Sequence, residues 1–153
     1  MSDSSKAPTI PIPNTSISQL SLVDAAFWVL LADNTILMRL LETGSWSKLP
    51  AISNDGSKKV LKIAGTLNGL YALCNDHKIR FWHYSSNTWK YALALPEPLQ
   101  IDVFPAEISA VDYWVSVTLS NGTSFIFKKY SEEDNGTWVR IQVPTQLPKP
   151  AVS

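Results

Sequence analysis

The sequence predicts an all-β fold of three four-stranded antiparallel units, and three observations carry that prediction. Six Trp, five Tyr and five Phe among 153 residues, with only 17% charged, make a chain rich in strand formers. The chain repeats itself three times, and each copy places a Trp at the opening of its last strand: Trp46, Trp89 and Trp138. Within each copy, short apolar runs are separated by turn residues at strand spacing.

A shift of 43 residues places Asp33 on Asp76, Ile36 on Ile79 and Trp46 on Trp89, with Trp28 on Tyr71 and Leu20 on Ile63, without a gap. The third copy aligns to the second at a shift of 46, which sets Asn121 on Asn75, Phe125 on Ile79, Phe127 on Phe81 and Tyr130 on Tyr84. A three-residue insertion within Glu132 to Gly136 then brings Trp138 onto Trp89. The strands expected are 18–23, 27–31, 35–41 and 45–49 in the first copy, 60–64, 69–74, 78–84 and 88–95 in the second, and 107–111, 114–119, 124–130 and 137–143 in the third. Third strands alternate, with Ile36/Met38/Leu40, Ile79/Phe81 and Phe125/Phe127 on one face. The other face carries Leu37 and Leu41, Trp82 and Tyr84, and Ile126 and Tyr130, so each sheet is expected to be covered on both sides.

The recurring pattern is a short apolar strand, a turn with Asp or Asn, and a strand bearing an aromatic; a Ser-Trp or Thr-Trp pair then opens the last strand, with Pro soon after. This signature resembles the blade of a β-propeller, most closely of the tectonin type, over residues 17–144. The Gly-His and Trp-Asp pairs of WD-type blades and the double Gly of kelch blades are absent. The resemblance implies blades at about 17–50, 60–96 and 106–144, between Pro- and Ser-rich flexible tails at 1–16 and 145–153. Three blades leave two outer sheet faces without a neighbour, and both are read here as apolar. The expectation is half of a six-bladed propeller, completed by a homodimer of three blades plus three. A β-trefoil, which closes as a monomer, is the alternative, and a fragment of a larger propeller is a third arrangement.

Composition narrows the function. Thirteen basic and thirteen acidic residues cancel, so no field draws nucleic acid. The longest apolar run near the start, residues 25–32 between Asp24 and Asp33, is too short to span a bilayer, and no signal peptide is visible; no membrane insertion is expected. A single cysteine, Cys74, points to a reducing, cytoplasmic setting. The sequons at Asn14, Asn121 and Asn135 would matter only in a secretory pathway.

No catalytic, metal or cofactor constellation stands out. Asp76-His77 reads as a solvated turn, and His77 with His83 lacks zinc spacing. His83 has core-facing parity, Cys74 reads as a buried inert thiol, and Glu132-Glu133-Asp134 as a solvated acidic tip. No Gly-rich phosphate loop occurs. What remains is a non-catalytic binding module. As a protein–protein interaction scaffold it would use Trp82, Tyr84 and Tyr91 as anchors. The alternative, implied by the tectonin resemblance, is a lectin that stacks glycans on Trp46, Trp89 and Trp138 beside Ser45, Thr88 and Thr137. A Trp recurring in every copy is first a packing device, so function is expected where copies differ: Trp82, the 97–106 connection and the inserted acidic loop.

Overall fold

The computed structural model describes residues 16–143 and residue 146. Apart from Ser16 and Gln146, the tails expected at 1–16 and 145–153 lie outside the described residues. Twelve strands form where twelve were expected, several of them shorter by two or three residues. Blade 1 holds β1 (Ile17–Leu22), β2 (Ala26–Leu31), β3 (Ile36–Leu40) and β4 (Trp46–Lys48). Blade 2 holds β5 (Val60–Thr66), β6 (Gly69–Cys74), β7 (Ile79–His83) and β8 (Thr88–Ala92). Blade 3 holds β9 (Pro105–Val111), β10 (Trp114–Leu119), β11 (Ser124–Lys128) and β12 (Thr137–Ile141). Each blade is an antiparallel sheet in chain order, and among the described residues no ladder joins one sheet to another. That separation is the arrangement of blades rather than the shared barrel of a trefoil. The inner strands pack in succession, β5 against β1 on one side and against β9 on the other.

Blade 2 explains the stacking. All six residues of β6 are buried, as expected for a strand covered on both faces. Leu70, Ala72 and Trp82 pack against Trp28, Leu30 and Met38 of blade 1, with Leu49 from the connection between blades. On the other side, Tyr71, Leu73 and Phe81 pack against Val115, Val117 and Phe125 of blade 3, with Leu93 and Leu95 from the next connection. Side chains of blade 1 also satisfy the edge of β5. Gln19 accepts from Ile63 N at 2.6 Å and donates to Ile63 O at 2.7 Å. Asn34 makes the same two-way pairing with Val60, and Gly65 N donates to Ser21 Oγ at 2.8 Å. A bulge between Ile17 and Gln19 turns Gln19 toward this edge.

The turns between second and third strands fix how the copies superpose. Asp33, Asp76 and Asn121 each accept, through Oδ1, the backbone N–H two residues ahead. The residue after each has positive φ: Asn34 at 75°, His77 at 68° and Gly122 at 89°. The spacing of these turns is therefore 43 residues and then 45, not 46. Phe125 corresponds to Arg80 rather than Ile79, and Val117 to Ala72 rather than Tyr71. Because side chains alternate, the one-residue difference moves the whole of blade 3 to the opposite parity. Phe125 and Phe127 consequently belong to the face packed on blade 2, not to the outer face.

Asp76 also binds Arg80 in a two-point fork, Arg80 donating at 3.0 and 2.7 Å. The guanidinium holds the Asp76 carboxyl well below the usual 3.8, and the carboxylate raises the Arg80 pKa in turn.

Two substitutions test parity. Val117→Lys should prevent folding by burying an unpaired charge, whereas Thr118→Lys should cost no more than about 1 kcal/mol. Equilibrium urea unfolding reads the difference, and the opposite ranking would restore the spacing of 46. Asp76→Asn keeps the turn acceptor and should lower stability by about 1 kcal/mol at neutral pH. An Asp whose folded pKa is depressed stabilises above its unfolded value and loses that contribution as pH falls through the folded one. The gap between wild type and Asp76→Asn should therefore be full above about pH 5 and close as the pH drops below 3.8.

Candidate protein-binding surface

The three repeated tryptophans pack within and between blades. Trp46 meets Phe27 edge-on at 5.6 Å, with the Arg39 guanidinium 5.5 Å over its ring. Trp89 Nε1 donates to Pro50 O at 2.7 Å, pinning the connection from blade 1. Trp138 lies tilted on Phe127 at 4.9 Å and edge-on to Phe125 at 6.3 Å. Of the proposed anchors, Trp82 is only 2% exposed, so the expectation that it projects toward a partner is corrected: it pairs with Leu70 on the face packed against blade 1. Its Nε1 donates to Asn87 Oδ1. Tyr84 and Tyr91 remain exposed, although Tyr91 Oη lies 3.4 Å from Tyr71 Oη. Burial, with Tyr91 second, pushes the Tyr71 phenol well above its ordinary value.

The titratable candidates have structural occupations. His77 stacks on Phe104 at 4.5 Å. Cys74 is buried, and desolvation raises its thiol pKa, which suits an inert side chain. Among the described residues, no three His, Cys, Asp or Glu side chains converge for a metal ion. The inserted loop carries Glu132 and Glu133 exposed, as a solvated tip would, and it also makes ordered contacts. Asp134 accepts from Tyr130 N and Gly136 N, and these amides lower its pKa. Glu132 reaches across to His83 Nε2, while Ser85 Oγ lies 2.8 Å from His83 Nδ1. Hydroxyl, imidazole and carboxylate are thus linked in the order a hydrolase would use. Ser85, however, does not line any of four cavities formed among the described residues. The contact acts as a clamp between blades 2 and 3. Its members are 49 residues apart, and no sequence signal announced it.

The outer faces offer a different kind of site. Since Gln19 and Ser21 reach blade 2, their neighbours Leu20 and Leu22 point away from it. With Ile17 they form a row 52–69% exposed along β1. Farther out, Val29, Leu31 and Leu37 make a small buried cluster with Phe27 and Trp46. The outer face of blade 3 was expected to be apolar as well, and this is corrected in part by its parity. Its inner half carries Ser109, Ser116, Thr118 and Ser124, with Thr118 Oγ1 2.8 Å from Ser124 Oγ, beside the exposed Val111 and the half-buried Ile126. Its outer half carries exposed Val139 and Ile141, and Trp114 lies beneath the Lys128 ammonium at 5.1 Å.

No helix among the described residues is long and apolar enough to cross a membrane. No family model matches the chain, and no curated protein sequence does. Solved structures do. Human WBSCR16 matches with a TM-score of 0.66 at 14% identity, over 86% of this chain and 41% of that one. YCF48, bound to a D1 peptide, matches with a TM-score of 0.57 at 14% identity, over 86% and 41%. Prp20p from Saccharomyces cerevisiae matches with a TM-score of 0.55 at 17% identity, over 79% and 32%. The chain therefore spans less than half the length of these structures. At such identities the likeness establishes fold alone, and the fold is that of β-propeller repeats.

Proposed function

We propose that this chain is a non-catalytic β-propeller binding module, a protein–protein interaction scaffold that works as a homodimer of two three-blade arcs. The observation that carries the reading is the exposed row Ile17, Leu20 and Leu22 on a sheet face against which no blade packs among the described residues. Each such side chain contributes about 1.5–3 kcal/mol when fully taken out of water. A face of this kind marks an interaction surface. In a ring of three blades plus three, it would meet the inner strand β9 of the second copy's blade 3, where the exposed Val111 offers apolar contact.

The structural neighbours support the protein-binding part. YCF48 is seen with a D1 peptide, and Prp20p is described by its binding to Gsp1p and histones. The sugar-binding alternative has no such support, because Trp46, Trp89 and Trp138 are engaged in packing. Kinship with tectonin-type repeats rests on the repeated signature alone. The single buried thiol favours a cytoplasmic setting.

Light scattering tests the assembly. The homodimer requires a mass of about 34 kDa, twice the 17.0 kDa of one chain. Leu20→Glu with Leu22→Glu should reduce it to one chain without altering the circular dichroism, and Val111→Glu should do the same if the ring closes blade 1 on blade 3. A single-chain mass for the unsubstituted protein at micromolar concentration would sink the homodimer. A glycan-array signal lost in Trp89→Phe would return the sugar reading.

A further inference from the structure

At the end of the strands opposite the 49–59 and 93–104 connections, blades 1 and 2 leave a cleft of about 270 Å³. Ala25, Leu40, Leu67 and the Tyr84 ring form its apolar walls, with Trp28 deeper in. The two junctions differ at this place. Between blades 2 and 3, His83 occupies the position that Leu40 holds in blade 1, and Glu132 from the inserted loop closes onto it. The corresponding turn of blade 2 lacks that insertion, so the gap beside Leu40 stays open.

Trp28 carries a second signal. The Cε3–Cζ3 edge of its ring lies so close to Gly65 that a Cβ there would stand 2.4 Å from Cζ3. Its Nε1, on the other edge, is buried and has no hydrogen-bond partner among the described residues. The matching residue in blade 2, Tyr71, has its polar atom beside Tyr91 Oη. A buried donor without an acceptor is costly, and native structures rarely leave one.

The chemistry of an occupant follows from the lining. The volume falls below the roughly 300–1,000 Å³ of cavities that take drug-sized ligands, and suits one large apolar side chain. A sugar or nucleotide would need several convergent polar groups, but the Thr66 hydroxyl is already committed to Asn68 Oδ1 and Gly69 O. The one charged side chain in the lining is Glu42, Asp24 sits in the same turn as Ala25, and no Lys or Arg lines the cleft. We propose that the cleft recognises a leucine-sized side chain of a protein segment bearing an adjacent basic residue, whose backbone carbonyl takes the Trp28 N–H. The exposed side chains Leu67 and Tyr84 turn aside to admit it. The proposal rests on the chain's being a protein-binding module and names the chemistry that one of its sites selects.

The indole N–H signals of protein labelled with ¹⁵N-tryptophan test it, with the Trp28 signal identified by its loss in Trp28→Phe. The probes are acetyl-Leu-Lys-amide, acetyl-Leu-Glu-amide and acetyl-Gly-Lys-amide. The first should move the Trp28 signal saturably, with half-saturation on the order of millimolar. The second should bind about three- to tenfold more weakly, as one exposed charge contact allows, and Glu42→Gln should erase that preference. The glycine probe should leave the signal unmoved. Ala25→Phe, at an exposed position, should block the response while the other indole signals persist. The proposal is overturned if the Trp28 signal ignores the leucine probes, answers the glycine probe equally, or responds unchanged in Ala25→Phe. A monomer that passes this test loses the homodimer and keeps the cleft, and a homodimer that fails it loses the cleft alone.

Discussion

The six residues of β6 have no face to give to water, and the placement of the other blades follows from that. Leu70 and Ala72 demand cover on one side, Tyr71 and Leu73 on the other, so both flanking sheets must present apolar side chains at the right parity. Blade 1 does so with Trp28, Leu30 and Met38, and blade 3 with Val115, Val117 and Phe125. Close packing then leaves little freedom at the junctions. Gly65 is one sign of this, since the Trp28 ring occupies the space a Cβ would need.

Most of this architecture was legible because it depends on short-range signals. Twelve runs bounded by turn residues became twelve strands, and the first two copies aligned without a gap. The third slipped because Asn75 and Asn121 share a letter but not a role. Asn75 accepts from Lys59 N in the connection between blades, whereas Asn121 folds its own turn, as Asp76 does. Gly122 held the missing information. It is the residue type most at ease with positive φ, and matching it to Asn34 would have given the right parity. His77 takes the same conformation, but unlike Gly it does not announce it, and so it hid the equivalence.

The candidate surface was less legible, since it depends on contacts between blades. The recurrence of Trp46, Trp89 and Trp138 correctly signalled packing, while Trp82, chosen because it differs among copies, proved to be core. Parity alone could have warned of this, because Trp82 alternates with Phe81 on a strand that has a neighbour on each side. The clamp of Glu132 on His83 and the open cleft beside Leu40 are consequences of one insertion, and how far an inserted loop reaches is a property of three dimensions.

The two junctions are fastened by different physics. Blade 1 holds β5 through neutral hydrogen bonds from Gln19, Ser21 and Asn34 that satisfy partly buried backbone groups, and losing one leaves an unpaired polar atom. Blade 3 adds to its apolar contact the His83–Glu132 clamp, a backbone hydrogen bond from Leu67 N to Asp112 O at 2.8 Å, and the exposed ion pairs Lys62–Glu107 and Arg140–Glu97, which are each worth little in water and weakened by salt. The outer faces mirror this asymmetry. Ser116 donates to Ser109 O, and Thr118 and Ser124 bond each other, so the hydroxyls of the blade 3 face are satisfied when it meets solvent, although Val111 beside them is not covered. Ile17, Leu20 and Leu22 have no such recourse, because hydrocarbon gains only by being covered. The drive toward a partner therefore comes from the apolar side chains left uncovered at both ends of the arc, Ile17, Leu20 and Leu22 on blade 1 and Val111, Val139 and Ile141 on blade 3.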